Sequence, residues 1–149
     1  MNTSGIFTVL SGMVTASIYI LGAGGGAARI YTAAGGGREK VVRGGGGGEQ
    51  TIVMNLVPNV YEIIIGVGGA YASGTFTTTA ITKTGKEGGY TVGFGAISTG
   101  GKGGTVTWTT SASYSGSDGS GGNPNGVTGG GNGGNLSAGG DGYVELTFS

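Results

Sequence analysis

The chain has 149 residues, 40 of them glycine, with no histidine, no cysteine, and seven basic residues balancing seven acidic ones. A Ser-His-Asp triad, a cysteine nucleophile, a zinc finger, haem or iron–sulfur ligation and a disulfide framework are all excluded by that inventory. The even charge balance leaves no basic patch of the kind that nucleic acid attracts. Glycine and proline together make 42 of 149 residues, a composition usually read as low-complexity. Two counts oppose disorder: net charge is zero, so self-repulsion does not resist compaction, and 20 of the 31 Leu, Ile, Val and Phe residues fall in the windows 6–21, 51–67 and 143–148. One domain, 1–149, fits this length. No apolar run reaches the ~18 residues of a membrane span. No Lys or Arg precedes the apolar stretch from Ile6 to Leu21, the first basic residue being Arg29, so the positive start of a signal peptide is missing.

In chain order, Val14, Ala16, Ile18 and Ile20 alternate with Thr15, Ser17, Tyr19 and Leu21, the period-two pattern of a strand with one buried face. Ala27–Ala34 is the nearest approach to a helical window, ended by Gly35-Gly36-Gly37. Ile52, Met54 and Leu56, then Ile63, Ile65 and Val67, flank Val57-Pro58-Asn59-Val60, which predicts a hairpin with Pro58 in its turn. Shorter strands are expected at Thr75–Ile81, Tyr90–Phe94 and Thr105–Thr110, and a closing strand at Val144, Leu146 and Phe148. Between them lie glycine tracts at 24–26, 35–37, 44–48, 100–104 and 129–134, some with a three-residue rhythm such as Gly100-Gly101-Lys102-Gly103-Gly104. Three residues per turn is the polyproline II period, whose N–H and C=O groups point outward toward neighbouring chains. Fixing a glycine costs about 0.5–1 kcal/mol more than fixing an alanine, so the tracts can be ordered only if nearly every buried peptide group is bonded.

Few motifs carry chemistry. Gly22-Ala23-Gly24-Gly25-Gly26-Ala27 follows a strand and matches the dinucleotide fingerprint G-x-G-x-x-A, but that fingerprint needs a following helix to hold the pyrophosphate. Lys102 is followed by Gly103 rather than Ser or Thr, so the P-loop pattern fails. Asp118 and Asp141 are too few for a calcium cage, and Glu62, Glu87 and Glu145 read as solvated strand-face charges. No metal, cofactor or catalytic residue is expected. Thr-x-Thr spacing at Thr75–Thr77 and Thr105–Thr109 suits a flat ice-binding array, although the strand propensity of threonine accounts for it without function. Tyr71, Tyr90, Trp108 and Tyr114 stand among Ser, Thr, Gly and Asn, the composition of loop-borne binding surfaces. Tyr71, Trp108 and Tyr114 are the candidate receptor contacts; for Trp108, inside a strand-like run, a core role is the competing reading.

Phe7-Thr8-Val9, a Gly12 turn and a strand ending Leu21-Gly22-Ala23-Gly24-Gly25-Gly26 open the chain; Gly44–Gly48, Thr51–Leu56 and Gly66-Val67-Gly68-Gly69-Ala70 follow, and Gly139-Gly140-Asp141-Gly142-Tyr143-Val144-Glu145-Leu146 closes it. In this order, over nearly the whole chain, the sequence resembles the glycine-rich domain of bacteriophage tail and virion proteins, and is similar to the glycine-rich adhesins of phage tail fibre tips. The resemblance implies a virion location, polyproline II-like glycine helices packed in layers, and host-surface contact through loops at one end, here 71–84, 105–120 and 123–128. It implies as partners other virion proteins and a host receptor, protein or glycan, with no nucleic acid and no membrane insertion. It leaves a homotrimer open, though no residue marks a trimer seam. The adhesins carry a separate fibre-attachment domain, whereas here the glycine pattern begins almost at Met1, which leaves open a freestanding copy that decorates a capsid, forms a head fibre or caps a tail. The expected fold is mainly β: a small antiparallel β-sandwich-like framework with packed polyproline II-like polyglycine segments. The expected role is non-catalytic, most directly receptor binding; a nucleotide-binding enzyme at Gly22–Ala27 is the remote alternative.

Overall fold

A computed structural model describes residues 1–32, 37–110, 113–130 and 132–149. Parts of the glycine tracts at 35–37 and 129–134, of the loop 105–120 and of the helical window Ala27–Ala34 lie outside them. Among the described residues the protein is all β, with no helix. The strands are β1 (Gly5–Val9), β2 (Val14–Leu21), β3 (Ala28–Thr32), β4 (Glu39–Val42), β5 (Glu49–Leu56), β6 (Asn59–Ile64), β7 (Ala72–Phe76), β8 (Ile81–Thr84), β9 (Thr91–Gly93), β10 (Ala96–Ser98), β11 (Thr105–Thr110), β12 (Ser113–Ser117) and β13 (Tyr143–Phe148).

The strands form two sandwiches with a layer of glycine segments between them. In the first, which we call proximal, sheet β1-β6-β9-β10 faces sheet β13-β2-β5. Their inward residues Ala16, Ile18, Ile20, Leu56, Ile63 and Val144 are fully buried in one apolar cluster. In the second, distal sandwich, sheet β4-β3-β7 faces sheet β12-β11-β8, with Ala28, Ile30, Val42, Phe76, Val106 and Trp108 between them. The pairing of β13 with β2 fulfils the expectation for the closing strand. Residues 28–32, in the nearest approach to a helical window, form β3: Ile30 is buried in the distal cluster and strand pairing on both sides satisfies their peptide groups. Two expectations are corrected. The hairpin around Pro58 is not a hairpin: β5 pairs with β2 while β6 pairs with β1, so the turn carries the chain from one sheet to the facing one and both strands bury their apolar faces in the shared core. The stretch Thr75–Ile81 breaks at residues 77–80 into β7 and β8. The pairing of β7 with β3 is parallel within an otherwise antiparallel framework.

The layer is held by backbone hydrogen bonds. Segment 22–27, between β2 and β3, is its axis. Its N–H groups donate in sets three residues apart: Gly22 and Gly25 to Gly48 and Gly45, Ala23 and Gly26 to Gly89 and Lys86, Gly24 and Ala27 to Gly140 and Ser137, all at 2.8–3.1 Å. Its carbonyls accept with the same period: Ala23 and Gly26 from Gly101 and Gly104, Gly24 and Ala27 from Gly69 and Ala72, Gly25 from Gly134, and Gly22 from the Asn132 side chain. The segment is therefore bonded to six neighbours, three antiparallel that receive its protons and three parallel that donate to it, which is what a threefold screw with outward peptide groups requires. Segment 99–104 repeats the rule, with Thr99 and Lys102 donating to Asn123 and Ser120. In the outer segments every third residue faces solvent and carries a side chain, as at Val67 and Ala70, Thr99 and Lys102, and Ser120 and Asn123, while 22–27 is buried throughout.

The close approach is what demands glycine. A Cβ at Gly25 would fall on the Lys102 carbonyl, and one at Gly47 on the Gly22 carbonyl, each far inside contact distance with only backbone to yield. At Gly140 the nearest atom would be 3.4 Å away. We expect Gly25→Ala to lower stability by about 3 kcal/mol or more, and Gly140→Ala to shift the denaturation midpoint little, in parallel chemical melts. In native-state hydrogen exchange the amides of Gly24, Gly25 and Gly26 should open only with global unfolding, while those of the exposed turn 10–13 should exchange without protection.

Candidate functional site

The distal sandwich presents the side chains that the sequence singles out, but not as one surface. Trp108 of β11 is fully buried. Its indole stacks on Phe76 at 5.9 Å and 24° and on Tyr114, its cross-strand partner in β12, at 4.5 Å and 27°. The expectation that Trp108 touches a receptor is thereby corrected: the alternation of β11 turns Val106 and Trp108 into the distal core. Tyr114 lies over that indole at the sandwich rim and is 46% exposed, so Trp108 is the floor on which an accessible ring rests. Tyr71, half-buried, precedes β7 in the other sheet. It stands near Arg29, whose guanidinium is bound to Glu39 at 2.6 Å and lies 4.9 Å above the Tyr31 ring. The hydrogen bond to Glu39 raises the Arg29 pKa above its ordinary value, so this group stays cationic. Tyr90 is exposed at the start of β9, on the proximal side.

The loops separate in the same way. Residues 71–84 and 105–120 hold β7, β8, β11 and β12 and are distal. Residues 123–128 belong to the glycine layer and its proximal side: the Val127 carbonyl accepts from Gly46 N–H within the layer, while the Pro124 carbonyl accepts from Glu49 N–H and the Asn125 amide donates to the Glu49 carbonyl, at the start of β5. The expectation of three loops at one end is corrected to two. The outer face of β12-β11-β8 is a hydroxyl surface, in which Thr82 meets Thr107 at 3.0 Å and Thr84 meets Thr105 at 3.1 Å, with Ser115 and Ser117 in register beside them. Thr75 belongs to the other sheet, so the Thr-x-Thr runs seen in sequence do not join. The sequence reading missed Arg29, Tyr31 and Glu39; the signal was a strand-length stretch on either side of a glycine triplet.

The two ends differ in chemistry. Exposed apolar side chains are frequent on the proximal sandwich, with Leu10 at 88% and Met13 at 67% in the turn between β1 and β2, Val53 at 72% and Ile6 at 66% on the outer faces of its two sheets, and Val57, Val60 and Phe148 besides. The distal end exposes Tyr31, Tyr114 and Leu136 among hydroxyls and charges. On the proximal side Tyr19 donates to Glu49 at 2.5 Å, and desolvation followed by that carboxylate raises its hydroxyl well above the ordinary tyrosine range.

Gly22–Ala27 offers no nucleotide cradle. Each of its N–H groups is committed to another segment, and β3 rather than a helix follows. Among the described residues no group of acidic side chains is placed to hold a metal ion, and no helix is long and apolar enough to cross a membrane.

Trp108→Ala should cost about 3–5 kcal/mol. Trp108→Phe, which keeps a ring under Tyr114 and removes a buried Nε1–H that has no hydrogen-bond partner among the described residues, should leave the thermal midpoint within a few degrees; calorimetry of both variants checks this. No family model, curated protein or solved structure matches the chain.

Proposed function

We propose that the chain is a bacteriophage virion protein, a tail fibre tip or receptor-binding component that acts without catalysis. The observation that carries this reading is the chemical polarity of the surface. The turns at the end of the proximal sandwich, which the strand registers bring together with Leu10, Met13 and Val57 exposed, suit attachment to other virion proteins, since exposed apolar clusters mark interaction sites. A distal end of tyrosine, hydroxyl and ionic groups on two hairpins suits contact with a wet host surface, where stiff aromatic side chains give contact area at low entropic cost. The glycine layer between them ties both ends of the molecule together without a side-chain core. The resemblance of the sequence to glycine-rich phage fibre-tip adhesins supports the same assignment. A capsid decoration protein or head fibre would use the proximal end alike and leave the distal end without a receptor.

Immunogold labelling of purified virions tests the reading, with gold expected at a fibre or tail tip. Gold on the head would favour decoration, and absence of gold from particles would end the virion assignment. With gold at the tip, Tyr114→Ala should weaken binding of the purified protein to host cells about tenfold, as loss of an aromatic contact of about 1.4 kcal/mol implies, with the denaturation midpoint changed far less than by Trp108→Ala.

A further inference from the structure

The formal net charge of zero conceals a separation of charge along the molecule. The strands of the proximal sandwich carry Glu49, Glu62 and Glu145 and no Lys or Arg. The distal strands and the turn between β3 and β4 carry Arg29, Arg38, Lys40 and Lys83 against Glu39 alone. In the glycine layer Arg43, Lys86 and Lys102 balance Glu87, Asp118 and Asp141. Charge balance in the composition suggests that no basic region exists; the fold assembles one.

Two of these cations share a groove. At one edge of the distal sandwich, strand β4 packs against strand β12, and a groove of about 640 Å³ opens there, lined by Lys40, Val41, Arg43, Gly116, Asp118 and Leu136. Gly116 has no side chain to fill it, and the Lys40 stem crosses over that glycine. Asp118 accepts from the Arg43 backbone N–H at 2.7 Å, leaving two side-chain cations facing one carboxylate. Neither the Lys40 ammonium nor the Arg43 guanidinium has an ion-pair partner among the described residues. Tyr114 stands two residues from Gly116 on the same face of β12, and the serine and threonine hydroxyls cover the opposite face of that sheet.

We propose that this groove binds an anionic glycan, with Lys40 and Arg43 pairing its acidic groups and Tyr114 flanking a sugar ring. The proposal names the ligand class for the receptor-binding reading and rests on it. The charge separation selects an acidic ligand at this end, the uncrowded cations supply the pairing, and the half-exposed Tyr114 ring, on the same face of β12 as Gly116, supplies a flat face for a sugar. The acidic group is a carboxylate or a phosphodiester, and the probes distinguish them.

The test titrates the full chain with polygalacturonate, with a phosphodiester-linked mannan and with neutral dextran. Binding of at least one polyanion, with none of dextran, is expected. The double variant Lys40→Gln, Arg43→Gln should lose about tenfold in affinity with an unchanged denaturation midpoint, whereas Lys83→Gln, at the opposite edge, should lose little. An equal loss in Lys83→Gln would replace the groove with diffuse charge and overturn the proposal, as would dextran binding or an unaffected double variant. Tip labelling on virions with an unaffected double variant would overturn the groove alone. Polyanion binding lost in the double variant, without gold on particles, would retire the receptor reading and keep the groove.

Discussion

Everything in this molecule depends on the backbone hydrogen bonds that segment 22–27 makes to its six neighbours. In most small domains the peptide groups are satisfied within strands and helices, and side chains fill the space between elements. Here the order is inverted across the middle of the protein. The peptide groups of adjacent segments bond directly to one another, and absence of side chains is what lets them meet. The high entropic cost of ordering glycine is offset by near-complete bonding, in all directions around 22–27 and not in the single plane of a sheet. The two apolar clusters, proximal and distal, hold the segment ends in register, so the layer and the sandwiches support each other.

The sheet edges show a further constraint. A short sandwich exposes its edge strands, and exposed edges invite pairing with other chains. In the distal sandwich the edge strands β4 and β8 each turn a lysine inward: Lys40 lies over Gly116, and Lys83 over Gly74, in the facing sheets. An inward charge on an edge strand discourages strand addition. The proximal edge strands β1, β5 and β13 place no charged residue on their inward faces, and the exposed aliphatics lie on that same sandwich. The same end is thus open to protein contact while the distal end is guarded against it, consistent with the division of roles proposed above.

Much of the framework was legible from residues alone. The alternation in β2 and β13 gave strands with the correct buried faces, and the three-residue rhythm around Lys102 announced the threefold screw, because only a residue at every third position can face outward from a packed segment. What failed did so for identifiable reasons. Period two reports which face of a strand is buried but not which strand it pairs with, hence the hairpin misread at Pro58. Strand β12 has no apolar alternation, since its order comes from β11 and from Tyr114 resting on Trp108. For Trp108 the polar company pointed to the surface and the strand-like run to the core, and the phase of β11 puts it in the core. The groove was invisible because Lys40 and Arg43 are brought to Asp118 and Gly116 only when β4 and β12 are packed together.

The order in which the layer is threaded has a consequence for biosynthesis. Its axis, 22–27, leaves the ribosome long before two of the segments that bond to it, 132–134 and 137–140, which follow it by more than 100 residues. At roughly 5–20 residues per second the nascent axis waits on the order of ten seconds with part of its shell missing. A polyproline II segment makes no hydrogen bonds within itself, so the axis depends on its neighbours for order. The layer is therefore completed only once residues 132–140 have emerged, and its many non-local contacts place the fold among slow-folding topologies.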